Sequence, residues 1–289
     1  MSADERVGSS TRLQLATELA VRGGRMLLEP FHRAQASAGA PAVVPAADEA
    51  IGDRLAADVA TAFPEDAVVG GETGSGVREP RCLYSWVVGS IDGGSDFGRG
   101  LPGFAVTVGV LRNGMPFVGA VYDPVARWLF SACAGRGAWL NDRPLRARPA
   151  SLSRSSLVAV GSPREAGAPP FTEEWLRRYR VRRIGSTALQ LCYVAMGALD
   201  LVHDHRATLR EVVGAATIVL EAGGVVTRDD GSPLFPAPAA RLTGGPIAML
   251  AGNQVSHAEA LAEVALVAQA QSSVGGVAVG QDRARRVCL

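Results

Sequence analysis

Three acidic residues stand where chemistry could be done. Glu72 lies in the run Gly70-Gly71-Glu72-Thr73-Gly74, Asp92 in the stretch WVVGSIDGGSDF (residues 86–97), and Glu211 in Arg210-Glu211-Val212-Val213-Gly214. The first is expected after a strand, the second in a glycine turn, the third at the start of a helix. Carboxylates converging with a glycine-rich turn suit a hard divalent cation and a phosphate oxygen, because Mg²⁺ takes oxygen ligands and N–H groups at a helix start favour anions. The plainer reading is that Glu72 is a solvated loop charge and Glu211 complements a helix dipole. A further stretch, LVHDHR (residues 201–206), flanks Asp204 with His203 and His205. Imidazoles titrate near neutrality and suit general acid or base work without a metal. Arg206 and Arg210 add guanidinium groups capable of bidentate contact with phosphate.

Composition narrows the choice of chemistry. All 29 basic residues are arginine, so no lysine is available as a Schiff-base nucleophile or as an amine of tunable pKa. The net charge is +1 with the two signs interspersed, which is not the basic stripe of a nucleic-acid binder. Cys82, Cys133, Cys192 and Cys288 form no CxxC pair; this argues against a structural zinc or a disulfide framework and fits a reducing cytoplasm. The polar start MSADERVGSS lacks a signal-peptide core, and the longest uncharged apolar segment, residues 212–220, is too short to span a bilayer. The reading is a cytoplasmic protein acting on small molecules, with neither nucleic acid nor membrane as partner.

The elements that must position these residues follow from periodicity and punctuation. A helix is expected from Ser10-Thr11, weakened in its middle by Gly23-Gly24. A Pro/Ala-rich loop (residues 34–46) precedes a second helix, which opens near Asp48, buries Ile51, Leu55 and Val59, and stops at Pro64. Strands dominate residues 83–132, with Asn113-Gly114 marking a hairpin. The second half alternates: strands at 157–160 and 247–250, helices at 173–179, 186–197, 211–222 and 256–270. The fold class is therefore α/β. An α+β first lobe (1–150) carries the GGETG and GSIDGGSDF segments, an α/β second lobe covers 151–271, and residues 272–289 form a disordered tail.

The order of GGETG, WVVGSIDGGSDF, GMPFVGAVYDPVARWLFSACAGRGAWLND, IGSTALQLCYVAMGALD and EVVGAATIVLEAGG resembles the inositol monophosphatase family, the lithium-sensitive, Mg²⁺-dependent phosphatases. The resemblance runs from about Thr11 to Ala270. It implies a layered αβαβα sandwich, commonly a homodimer, that hydrolyses a phosphorylated small molecule with metal-activated water. By that resemblance Glu72, Ile91, Asp92 and Glu211 hold metal, Glu72 and Asp92 serve catalysis, and Gly93, Gly94 and Ser95 meet the phosphate. Asp204 stands where the family contacts the substrate's hydroxyls, with Arg206 beside it.

The departures from the family pattern cluster at the metal site. GEE becomes Gly71-Glu72-Thr73. DPIDGTxNF becomes GSIDGGSDF, so the aspartate that bridges two metals is Gly89, the threonine that helps orient water is Gly94, and the asparagine is Asp96. WDxAAG falls on Arg210–Ala215, with Glu211 for aspartate, and VTxxD becomes Val44-Pro45-Ala46-Ala47-Asp48. Three functions are compatible with this pattern. One is a phosphatase of a sugar, cyclitol or related phosphate with a remodelled, weakened Mg²⁺ site. Another is a non-hydrolytic enzyme (elimination, isomerisation or cyclisation) in which His203, Asp204 or His205 moves protons. The third is an inactive protein that still binds a phosphorylated ligand.

Overall fold

In a computed structural model of the chain, residues 3–36, 43–70, 82–161, 169–237, 242, 244–267 and 269 are described. Two helices open the fold, α1 (Ala3–Ala36) and α2 (Val43–Ala62). Both are longer than periodicity predicted. The second starts in the expected loop, because Pro45 falls within its first turn, where a missing N–H leaves no helical bond unmade. The helix α1 runs unbroken through Gly23-Gly24, which seat it against its neighbours. A Cβ on Gly24 would stand 2.4 Å from the Tyr122 ring, and one on Gly23 3.0 Å from Leu55.

A seven-stranded sheet follows in sequence order: β1 (Ala67–Val69), β2 (Tyr84–Asp92), β3 (Ala105–Arg112), β4 (Met115–Asp123), β5 (Trp128–Cys133), β6 (Ala138–Leu140) and β7 (Arg143–Leu145). It is antiparallel apart from the β1–β2 pair. The predicted hairpin is present: Asn113 and Gly114 both take positive φ (50° and 76°), as a two-residue turn matched to strand twist requires. One short helix, α3 (Gly94–Phe97), interrupts the β2–β3 connection.

The second sheet has the order β11-β12-β10-β8-β9, built from β8 (Leu157–Val160), β9 (Arg180–Arg182), β10 (Leu201–Ala207), β11 (Val225–Arg228) and β12 (Ile247–Gly252). Between them run α4 (Pro170–Arg178), α5 (Thr187–Ala195) and α6 (Leu209–Glu221), and a last helix, α7, covers residues 254–267. Strands β9, β10 and β11 were not predicted. In β10 the polar run His203–Arg206 hides a strand that lies in the middle of the sheet, paired on both edges.

Three cores show the layering. One joins α1 and α2 to the first sheet through Leu19, Leu27, Leu55, Val106, Val108 and Val110. The central core holds α5 and α6 between the sheets, with Leu189, Leu191, Val212, Val213 and Val202. The third packs Val158, Val160 and Leu201 of the second sheet against Phe171 and Trp175 of α4 and Ala260 of α7. The result is the αβαβα sandwich that the resemblance implies. Strand β3 is buried on both faces, so it reads as a continuous apolar run rather than an alternating one. On its inner face Gly109, with Gly119 of β4, lets α6 lie against the sheet: a Cβ on Gly119 would sit 2.0 Å from the Gly214 carbonyl oxygen. That contact sets the height at which Glu211 enters the cleft. The tail expected at 272–289 lies outside the described residues.

Candidate active site

Strand β2 delivers Asp92 to the centre of the site. Pairing with β3 is regular to Gly89↔Thr107 and resumes at Asp92↔Ala105; the extra residue is a bulge that re-aims the strand end. Asp48 of α2 fixes the bulge. Its Oδ1 accepts from the Ser90 hydroxyl at 2.5 Å and from the Ile91 N–H at 2.9 Å. Beyond Asp92 the chain turns at Gly93, whose φ of 93° and whose neighbour, the Gly103 carbonyl 2.5 Å from any Cβ, together demand glycine.

The Asp92 carboxylate is buried and meets the start of α5. Its Oδ2 accepts from the Ser186 hydroxyl at 2.5 Å and the Ala188 N–H at 2.7 Å, while Ser186 caps the same helix by accepting from the Leu189 N–H. The other oxygen, Oδ1, is buried and has no hydrogen-bond partner among the described residues. Burial pushes the Asp92 pKa up to about 8, the negative charge of Glu211 pushes the same way, and the bonds from Ser186, Ala188 and Thr187 oppose them. Glu211 itself stands at the third position of α6. It closes a capping box: its Oε2 accepts from the Thr208 N–H at 2.7 Å while the Thr208 hydroxyl accepts from the Glu211 N–H at 3.4 Å.

Two adjoining cavities meet at Glu211. The inner one, about 250 Å³, is lined by Asp48, Gly89, Asp92, Thr107, Arg210 and Glu211 among others. The outer one, about 310 Å³, is lined by Ser95, Asp96, Arg183, Gln190, Asp204 and Arg206 among others. Asp204 is buried and firmly held: Oδ2 accepts from the Thr187 hydroxyl at 2.8 Å and Oδ1 from the Arg206 N–H at 2.9 Å. Asp96 accepts from the Gly185 N–H at 2.9 Å. The structure thus gathers Asp92, Glu211, Asp204, Arg206 and the Gly93–Ser95 turn around one cleft. Glu72 lies outside the described residues.

His203 and His205 go elsewhere, which corrects their expected place at the cleft. Alternation along β10 sends Asp204 to one face and the two histidines to the other. There the His203 ring meets Phe171 edge-on at 4.8 Å and Trp175 at 5.9 Å, with its Nε2 3.5 Å from Asp229. His205 stacks beside it, ring centroids 6.2 Å apart, and its pKa is lowered by burial and by the neighbouring His203. His203 helps hold the Asp229 carboxyl below its ordinary range.

Position 89 is closed to a side chain as it stands. A Cβ there would lie 2.5 Å from the Thr107 hydroxyl, and one on Gly94 would lie 3.0 Å from a Val44 methyl. Sequence reading missed Thr107 and Ser186. Each carried a signal: a lone hydroxyl in the apolar run AVTVGVL, and a helix-capping serine directly before a buried helix.

The sequence model of the inositol monophosphatase family matches residues 9–270. Inositol monophosphatase 1 of Solanum lycopersicum is 32% identical over 236 residues, covering 76% of this chain and 85% of its own length. The Nus factor SuhB of Pseudomonas aeruginosa is 32% identical over 198 residues, 65% of this chain and 73% of that protein. Among solved structures, the inositol monophosphatase from Anabaena superposes with a TM-score of 0.76 at 28% identity, covering 89% of this chain and 96% of that one.

Proposed function

The chain belongs to the inositol monophosphatase family, and from that premise we propose that it hydrolyses a phosphorylated sugar, cyclitol or related small metabolite with one divalent cation at Asp92 and Glu211. The observation that carries this reading is the buried Oδ1 of Asp92, which has no hydrogen-bond partner among the described residues and lies under the influence of the Glu211 charge. A buried acceptor without a donor is costly, and a carboxylate whose pKa is raised by burial and by a second negative charge is relieved by a nearby cation.

The proposal places one Mg²⁺ here rather than two. Asp92, Glu211, the Ile91 carbonyl and Glu72 would hold it; Gly89 offers no ligand, and Thr107 stands where one would begin. When bound, the cation polarises phosphate oxygens and acidifies water. The chain's own groups do the rest. Ser186 and the Ala188 N–H fix the Asp92 carboxylate in one orientation. The N–H groups of Gly93, Gly94 and Ser95, at the start of α3, face no helical acceptor and can cradle phosphate oxygens. Asp204, immobilised by Thr187 and the Arg206 N–H, keeps lone pairs for hydroxyl groups on the substrate, and Arg206 lies at the same rim.

A second reading, a phosphate-binding protein without turnover, is favoured by Gly94, which brings no hydroxyl and faces a Val44 methyl. Proton transfer by His203 and His205 is not part of this reading, because His203 packs on Phe171 and Trp175, with His205 stacked beside it. A phosphorylated small-molecule partner, a homodimer and a cytoplasmic setting belong to the proposal; among the described residues no helix is long and apolar enough to cross a membrane. Assay of a phosphomonoester panel with Mg²⁺ is the test. Turnover of at least one sugar or cyclitol phosphate is expected, and binding without any turnover would establish the second reading instead.

A further inference from the structure

The inner cavity holds more negative charge than one cation offsets. Asp92, Glu211 and a phosphomonoester dianion together carry four negative charges against two positive ones, and in a partly desolvated cleft that excess opposes binding. Of the residues that line this cavity, Arg210 is the basic one.

Its placement is built by its neighbours. The Arg210 carbonyl accepts a hydrogen bond from the Thr107 hydroxyl at 3.2 Å, which ties the first turn of α6 to β3. The Arg210 Cγ lies 3.6 Å from where a Cβ on Gly89 would stand. Any side chain at 89 would begin in the space that the Thr107 hydroxyl and the Arg210 stem now share. The guanidinium makes no hydrogen bond or ion pair among the described residues, although acidic groups line the same cavity. Arg210 is half-buried at this cavity, and an arginine there can dock an oxyanion, since its planar fork matches two phosphate oxygens at once.

We infer that Arg210 is the phosphate-binding cation of the inner cavity and that Gly89 admits it, so that a guanidinium and a single metal ion together neutralise the substrate's phosphate. This rests on reading the cleft as a phosphomonoester site. Arg206 is a separate matter, because it lies at the outer cavity.

The test is calorimetric titration of the full chain with inorganic phosphate in the presence of Mn²⁺, for wild type, Arg210→Ala, Arg210→Lys and Arg177→Ala. Arg177 is an exposed residue of α4 beside Glu174 and controls for the loss of one positive charge. Loss of a charge-assisted bidentate contact should weaken phosphate binding about 10–100-fold in Arg210→Ala. The lysine variant should fall between, and the Arg177 variant should match wild type. Mn²⁺ affinity without phosphate should not fall in Arg210→Ala, because removing a cation cannot weaken a neighbouring one. Equal phosphate affinity in the Arg210→Ala and Arg177→Ala proteins would overturn the inference while leaving the phosphatase reading intact. A wild type that neither binds phosphate nor turns over any phosphomonoester would overturn both.

Discussion

Asp92 is a carboxyl group held in a place that does not favour its charge. Its folded pKa, about 8, lies above the unfolded value of about 3.9, so between those values the folded chain binds more protons than the unfolded one. Stability of the cation-free protein must then fall as pH rises through that window. The Asp92→Asn variant should remove this slope: with a chelator present it should melt higher than wild type at pH 7 and equally at pH 4, while phosphatase activity drops by about 100-fold or more. Thermal scans across pH check the first part, initial rates the second. Gly89→Asp argues the neighbouring point. Its Cβ meets the Thr107 hydroxyl, so the single variant should lose about 1–3 kcal/mol by overpacking, and the Gly89→Asp/Thr107→Ala double variant should recover part of that loss in denaturant titrations. At this scale the sequence already shows Asp92, Glu211 and the missing side chain at 89. It does not show Thr107, because a partner across a strand pair is a matter of register, which no spacing within one strand reveals.

Strand β10 shows how an element decides which residues can act. As a loop, LVHDHR would present its three ionisable groups together; as a strand it divides them between the cleft and the third core. Truncating His203 or His205 should therefore cost stability, about 1–3 kcal/mol for the fully buried His203, yet leave kcat/KM within about twofold. Asp204→Asn, on the other face, should raise KM with little loss of stability. The opposite pattern would place the histidines in the reaction. Helix α6 was legible from its apolar period, but its expected start at Glu211 passes over Thr208, which caps it. That the same glutamate both caps the helix and faces Asp92 was not legible, since a cap can be read from neighbours in sequence whereas a charge partner 119 positions away cannot.

Over the whole molecule the order of layers follows from chain order. Two helices, seven consecutive strands, and then helices alternating with strands leave the second set of helices to fill the space between the sheets. The family match spans residues 9–270, which includes every layer of this core. The account at this scale is a family scaffold on which one cation and an arginine do the electrostatic work. Its most direct test is the rate of hydrolysis of the best phosphomonoester as Mg²⁺ is raised from zero in chelated protein. The account predicts no turnover without the ion and a rise with a single-site dependence; turnover that persists in chelator, or a cooperative two-ion dependence, would contradict it.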